Sequence, residues 1–168
     1  MLTNLPLKMV LMITYLSHWD WILYKSRKDL IKYISSDEIH AMCPSGAYKI
    51  ELESIYNGVT SWELDRRKLL DINAIIKLRS HIKSIDSSFH CFTLKTGIIY
   101  CLANIFIKNK HSAVLSITGL GFLFSESPRA RVLRLIIKPF MRYLFNKSFD
   151  VIIFQNQLDK KLFLKFSR

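Results

Sequence analysis

Apolar runs and amphipathic stretches take turns along the whole chain. The runs at 7–16, 39–43, 59–64, 89–94, 112–118 and 151–154 are short and continuous. Continuity without strict alternation predicts strands buried on both faces. Between them lie helical patterns at 22–34, 48–56, 71–84, 97–108 and 128–147, and a last one from Leu158. Strand alternating with helix predicts a mostly parallel sheet wrapped on both sides, a doubly wound, Rossmann-like α/β domain. The 168 residues suffice for one such domain with its own core. No repeat, low-complexity tract or flexible linker divides them.

This topology says where to look for chemistry. In open parallel sheets, ligands bind outside the carboxyl ends of the strands. Those ends read Ser17-His18, Pro44-Ser45-Gly46, Asp65-Arg66-Arg67, Lys95-Thr96-Gly97, Thr118-Gly119-Leu120-Gly121 and Gln155-Asn156. They are richer in polar, cationic and glycine residues than the strands before them. A dinucleotide-binding domain would place G-x-G-x-x-G after its first strand. Here that position reads Ser17-His18-Trp19-Asp20-Trp21, which excludes the fingerprint.

Charge narrows the partners. Lys plus Arg number 25 against 13 Asp plus Glu, a net +12. That excess favours an anionic partner: a phosphorylated ligand, an acidic membrane surface or nucleic acid. No nucleic-acid motif is present, and the cations sit on helix faces rather than among stacking aromatics, so nucleic acid is not expected. Cys43, Cys91 and Cys101 are odd in number and lack C-x-x-C spacing. They read as reduced core residues of a cytoplasmic protein. The five histidines are scattered and none pairs with a cysteine at ligand spacing; neither a metal nor another cofactor is expected. The longest uncharged apolar run, 98–107, is shorter than the roughly 20 residues that span a bilayer. His90 and Cys91 are adjacent on a strand and point to opposite faces, so they form no nucleophile–base pair.

Several strand ends carry a resemblance in the right order. Ser17-His18 precedes the hydrophobic Trp21-Ile22-Leu23-Tyr24. Cys43-Pro44 closes the second strand and Asp65-Arg66-Arg67 follows the third. "HCFTLKTGIIYCLA" spans 90–103, "SITGLGFLF" spans 116–124 and "VIIFQN" spans 151–156. Together these resemble the N-terminal domain of GT-B glycosyltransferases of family 4, particularly the bacterial enzymes of capsule and O-antigen assembly. Three departures stand out: Thr96 replaces the usual proline, Cys101 a frequent glycine, and Phe92 a histidine that many relatives carry. No catalytic histidine is therefore carried over.

The resemblance implies that residues 1–168 are the acceptor-side half of a glycosyltransferase. Its nucleotide-sugar half, with glutamates at E-x7-E spacing, would begin where this chain ends at Arg168. The implied reaction moves a sugar from a nucleotide-sugar to a lipid-linked acceptor in surface polysaccharide synthesis, on the inner face of the cell membrane. The nucleotide-sugar would be met only through the missing domain or a partner subunit. The alternative is a non-catalytic acceptor-binding or recruiting subunit, or a truncated remnant.

The candidate acceptor- and phosphate-binding residues are His18, Arg66, Lys95, Thr118, Gly119, Gly121 and Asn156. Arg66 and Lys95 are cations suited to phosphate. The backbone N–H groups from Gly119 to Gly121 can form an anion-binding nest. Asn156 can line the cleft or cap the helix that follows. At about 100° per residue, Arg131, Arg134, Lys138 and Arg142 form one stripe of the 128–147 helix. Val132, Leu133, Ile136, Ile137, Phe140 and Leu144 lie opposite and are expected to face the sheet. Residues 127–149 contain no acid before Asp150, so the four cations are the candidate contacts to an anionic membrane.

Overall fold

A computed structural model describes residues 12–34, 38–68, 70–107 and 111–166. They form a six-stranded sheet in the order β3-β2-β1-β4-β5-β6: β1 Met12–Ser17, β2 Glu38–Cys43, β3 Gly58–Ser61, β4 Ser88–Phe92, β5 Ala113–Ile117 and β6 Val151–Phe154. Every pairing is parallel. All six strands fall where the apolar runs placed them, with shifts at the ends. β3 stops at Ser61, because the chain turns inward there to bury Trp62 and Leu64. The expected start of β1 at residues 7–11 lies outside the described residues.

Both sheet faces are covered, which is why the strands read as continuous apolar runs. Helices α2 (Ile72–Ser84), α3 (Leu94–Asn104), α4 (Pro128–Ser148) and α5 (Gln157–Phe166) help enclose the larger core, which includes Leu16, Cys91, Ile99, Tyr100 and Leu115. On the other face α1 (Lys49–Ile55) and the segment after β1 enclose a smaller core around Tyr15, Ile39, Leu52 and Phe92. Cys43, Cys91 and Cys101 are buried and unpaired.

Three helices differ from the sequence expectation. The segment predicted as one helix over 22–34 is a π-helical turn, Ile22–Arg27, followed by a 3-10 turn, Lys28–Tyr33. Side-chain anchors hold it: Leu23 is fully buried, Tyr24 stacks on Tyr48, and the Arg27 guanidinium lies 5.0 Å from the Phe92 ring centre. Helix α3 begins at Leu94 rather than residue 97, directly after β4. Thr93 makes that turn alone, at φ 83° and ψ 151°, a backbone region left almost entirely to glycine. The helix is expected to reach residue 108 but ends at Asn104; residue 108 lies outside the described residues.

Helix α4 has the expected length but not the expected orientation. Leu133, Met141 and Phe145 are buried, whereas Val132, Ile136 and Phe140 are 57–61% exposed. Arg134 is turned inward and donates to the carbonyls of Leu123 and Ser125. The helix carries two apolar arcs, and a helical wheel does not say which one meets the sheet. The carbonyls of the 3-10 turn Gly121–Phe124 and the residue after it decide the matter by taking up Arg134, so this residue does not belong to the solvent-facing stripe. Pro139 is accommodated without ending the helix.

Candidate functional site

The strand order reverses between β1 and β4, and the carboxyl ends of these two strands frame a cleft of about 1140 Å³. This is the switch-point crevice where doubly wound sheets bind ligands.

From β1 comes His18. Its backbone N–H donates to Thr96 Oγ1 at 3.1 Å, and its ring Nδ1 lies 2.9 Å from Thr93 Oγ1. A proline at position 96 would offer no such acceptor, so this departure from the family pattern ties β1 to α3. Burial pushes the His18 imidazole down to about 4, with help from the nearby cations Lys95 and Arg66. The ring is therefore neutral near pH 7 and acts as a hydrogen-bonding group rather than a charge.

Next along the loop, Trp19 stacks on Trp21 with ring centres 5.3 Å apart, and the Arg66 guanidinium sits over Trp19 at 4.7 Å. Behind them, the buried Asp20 carboxylate accepts from the backbone N–H groups of Trp21 at 2.9 Å and Tyr48 at 3.0 Å. Gly46 is required here, because a Cβ at that position would overlap the Asp20 carboxylate.

The turn after β3 supplies Arg66 and Arg67. Lys95, in the first turn of α3, donates to the carbonyls of Arg66 and Lys68, both at 2.8 Å. Its ammonium thus holds the turn in place. Burial pushes the Lys95 pKa down, while Asp65 and Asp71 oppose that shift. Asp71 in turn accepts from Asp65 N and caps α2 through Ala74 N.

From β5 comes the glycine loop. Gly121 has φ +54°, the left-handed region, and opens the 3-10 turn; among the described glycines it alone has positive φ. Gly119 does not, and open space surrounds the position its Cβ would take. Of the two loop glycines, only Gly121 therefore serves a backbone geometry that other residues resist. Leu120 and Leu123 are buried beneath the loop and, with Leu64, Ile98, Leu133 and Ile137, make one wall of the cleft apolar.

His18, Arg66, Lys95, Thr118, Gly119 and Gly121 thus line one cleft. Asn156 does not. Its side chain accepts from Asp159 N and donates to the Asp159 carboxylate, both at 2.8 Å, capping α5. Sequence reasoning missed Trp19, Arg129 and the apolar wall. The only trace of Trp19 was its place beside His18 at a strand end.

Chemically the cleft offers cations on its lip, a neutral imidazole and an apolar side. The buried thiols hold no nucleophile: burial raises Cys43 to about 12 and Cys91 well above its usual value. Among the described residues no three His, Cys, Asp or Glu side chains group to hold a metal, and no helix is long and apolar enough to cross a membrane.

No curated protein matches the chain. The family model described as glycosyl transferase 4-like matches residues 12–156, from the start of β1 to two residues past β6. The strand ends that form the cleft lie inside that match, and the chain belongs to the glycosyl transferase 4-like family.

Proposed function

We propose that this chain holds the acceptor in a glycosyl transfer from a nucleotide-sugar to a lipid-linked sugar acceptor. The transfer serves surface polysaccharide synthesis of the capsule or O-antigen type, at the inner face of the cell membrane. The observation that carries the reading is the double character of the cleft. Arg66 and Arg129 line it beside Leu120, Leu123, Leu133 and Ile137. An acceptor with a pyrophosphate and an isoprenyl chain presents charge and apolar surface together, as the cleft does. Neutral His18 adds a hydrogen bond to a sugar hydroxyl or phosphate oxygen without adding charge. The nucleotide-sugar is held by a second domain, in the same polypeptide or in a partner.

Calorimetric titration of the chain tests this with three ligands: a sugar on a short-chain isoprenyl pyrophosphate, the same sugar phosphate without the chain, and a nucleotide-sugar. The first is expected to bind tightest and to lose affinity on Arg66→Gln and on Leu123→Ser. Tightest binding of the nucleotide-sugar would overturn the assignment.

A further inference from the structure

Helix α4 leaves an apolar arc uncovered. Leu135 is 75% exposed, and Val132, Ile136, Phe140 and Tyr143 range from 57% to 61%. At about 100° per residue these five positions, with exposed Pro139, share one side of the helix. Isolated exposed apolar residues are ordinary; a contiguous stripe of this kind marks a contact surface. Arg131, Lys138 and Arg142 flank the stripe, all exposed, and no carboxylate pairs with them among the described residues. No acid lies between residues 127 and 149.

We infer that this arc is the face on which the domain rests on an anionic bilayer, with Val132, Leu135, Ile136, Phe140 and Tyr143 entering the headgroup boundary and the three cations meeting lipid phosphates. The stripe lies about a third of a turn from the four-cation stripe that the sequence suggests. Arg134 is committed to Leu123 and Ser125, and Met141 and Phe145 to the core. Charge complementarity selects lipid over a second copy of this chain, since two copies would bring like-charged rims together. The same helix turns Leu133 and Ile137 into the cleft. An isoprenyl chain leaving the bilayer beside α4 therefore has apolar surface to follow. This inference rests on the proposed lipid-linked acceptor.

The test is co-sedimentation of the chain with vesicles of phosphatidylglycerol and phosphatidylcholine, and with vesicles of phosphatidylcholine alone. Binding is expected to the first, weakening with salt, and scarcely to the second. Removing the cations together (Arg131→Gln, Lys138→Gln, Arg142→Gln) costs roughly fivefold each, on the order of 100-fold in all. Leu135→Ser with Phe140→Ser also abolishes pelleting. All five substituted side chains are exposed, and unchanged urea midpoints will confirm that the variants fold. A polarity-sensitive dye on Leu135→Cys shifts to the blue when anionic vesicles are added. The inference fails if the variants pellet like the parent or if neutral vesicles serve as well. It also fails if the chain is a dimer that Leu135→Ser with Phe140→Ser dissociates, which would give the face to a second copy. Lost vesicle binding with intact titration of the short-chain acceptor overturns the membrane face alone. The converse overturns the acceptor reading alone.

Discussion

Acidification between neutrality and about pH 4 tests two histidines that the fold keeps uncharged. His18 stands at the end of β1 and His90 in β4, where its Nε2 lies 2.8 Å from Ser116 Oγ. Burial is the main cause in both cases. Lys95 and Arg66 add to it at His18, Arg27 adds to it at His90, and each imidazole falls from 6.5 to about 4. In the unfolded chain the same rings take up a proton near 6.5. Between these limits the unfolded state binds more protons than the folded one, so stability falls as the pH falls. At about 1.4 kcal/mol per pH unit, the full displacement is about 3 kcal/mol for each ring, of which about 2 kcal/mol is lost by about pH 5. Carboxylates held below their usual range, such as Asp71 with its backbone N–H partners, act in the same direction but below this window. His81 is also lowered by burial and then by His40, and it adds to the slope.

Urea unfolding at a series of pH values between about 7 and 5 measures the effect. The parent is expected to lose on the order of 4 kcal/mol across that range. His18→Gln with His90→Gln, which removes both titrating rings, flattens most of the slope. Two results would refute the reasoning: equal losses in parent and double variant, or imidazole resonances of the folded protein that titrate near 6.5.

Two further outcomes follow from geometry. Arg134→Met leaves the Leu123 and Ser125 carbonyls without their charged donor. It should cost about 2–4 kcal/mol in urea unfolding, whereas Arg131→Met on the exposed side changes stability by less than about 0.5 kcal/mol. Gly46→Ala displaces the Asp20 carboxylate from Trp21 N and Tyr48 N. Calorimetry should show a loss of about 1–3 kcal/mol together with weaker acceptor binding, while Gly119→Ala, with open space at its Cβ, is tolerated.

The strands were legible because burial on both faces writes itself into the chain as short apolar runs. The cleft was half legible, because parallel topology sends every strand's carboxyl end to one edge. What escaped has physical reasons. The early start of α3 depends on Thr93 in a conformation that no threonine announces. The rotation of α4 depends on which of two apolar arcs meets the sheet, and carbonyls some nine to eleven residues upstream decide that. Lys95 reads correctly as a cation at a strand end. That two of its three donors go to the Arg66 and Lys68 carbonyls requires knowing how close the turn after β3 comes. Gly46 reads as a loop glycine; only the position of Asp20, 26 residues earlier in the chain, makes it obligatory.

Thr93 shows how the parts of the cleft depend on one another. A longer connection between β4 and α3 would let this residue relax, yet the chain holds it at φ 83°, at a cost of about 1–3 kcal/mol. Thr93 N donates to Ser116 O at 2.9 Å, and Gly97 N donates to Thr93 O at 3.0 Å, so both backbone groups are fixed from outside the residue. The immediate turn sets the first residues of α3 directly at the carboxyl end of β4. From there Lys95 spans to the 66–68 turn, Thr96 receives the His18 N–H, and the Thr93 hydroxyl meets the His18 ring. The same placement brings the Lys95 charge near His18, where it helps to keep the imidazole neutral. Gly97 lets α3 lie close enough for this, since a Cβ there would stand 2.8 Å from the Leu115 methyls. One strained residue and one close-packed glycine thus place the cation, the hydroxyls and the neutral imidazole on the same edge of the sheet.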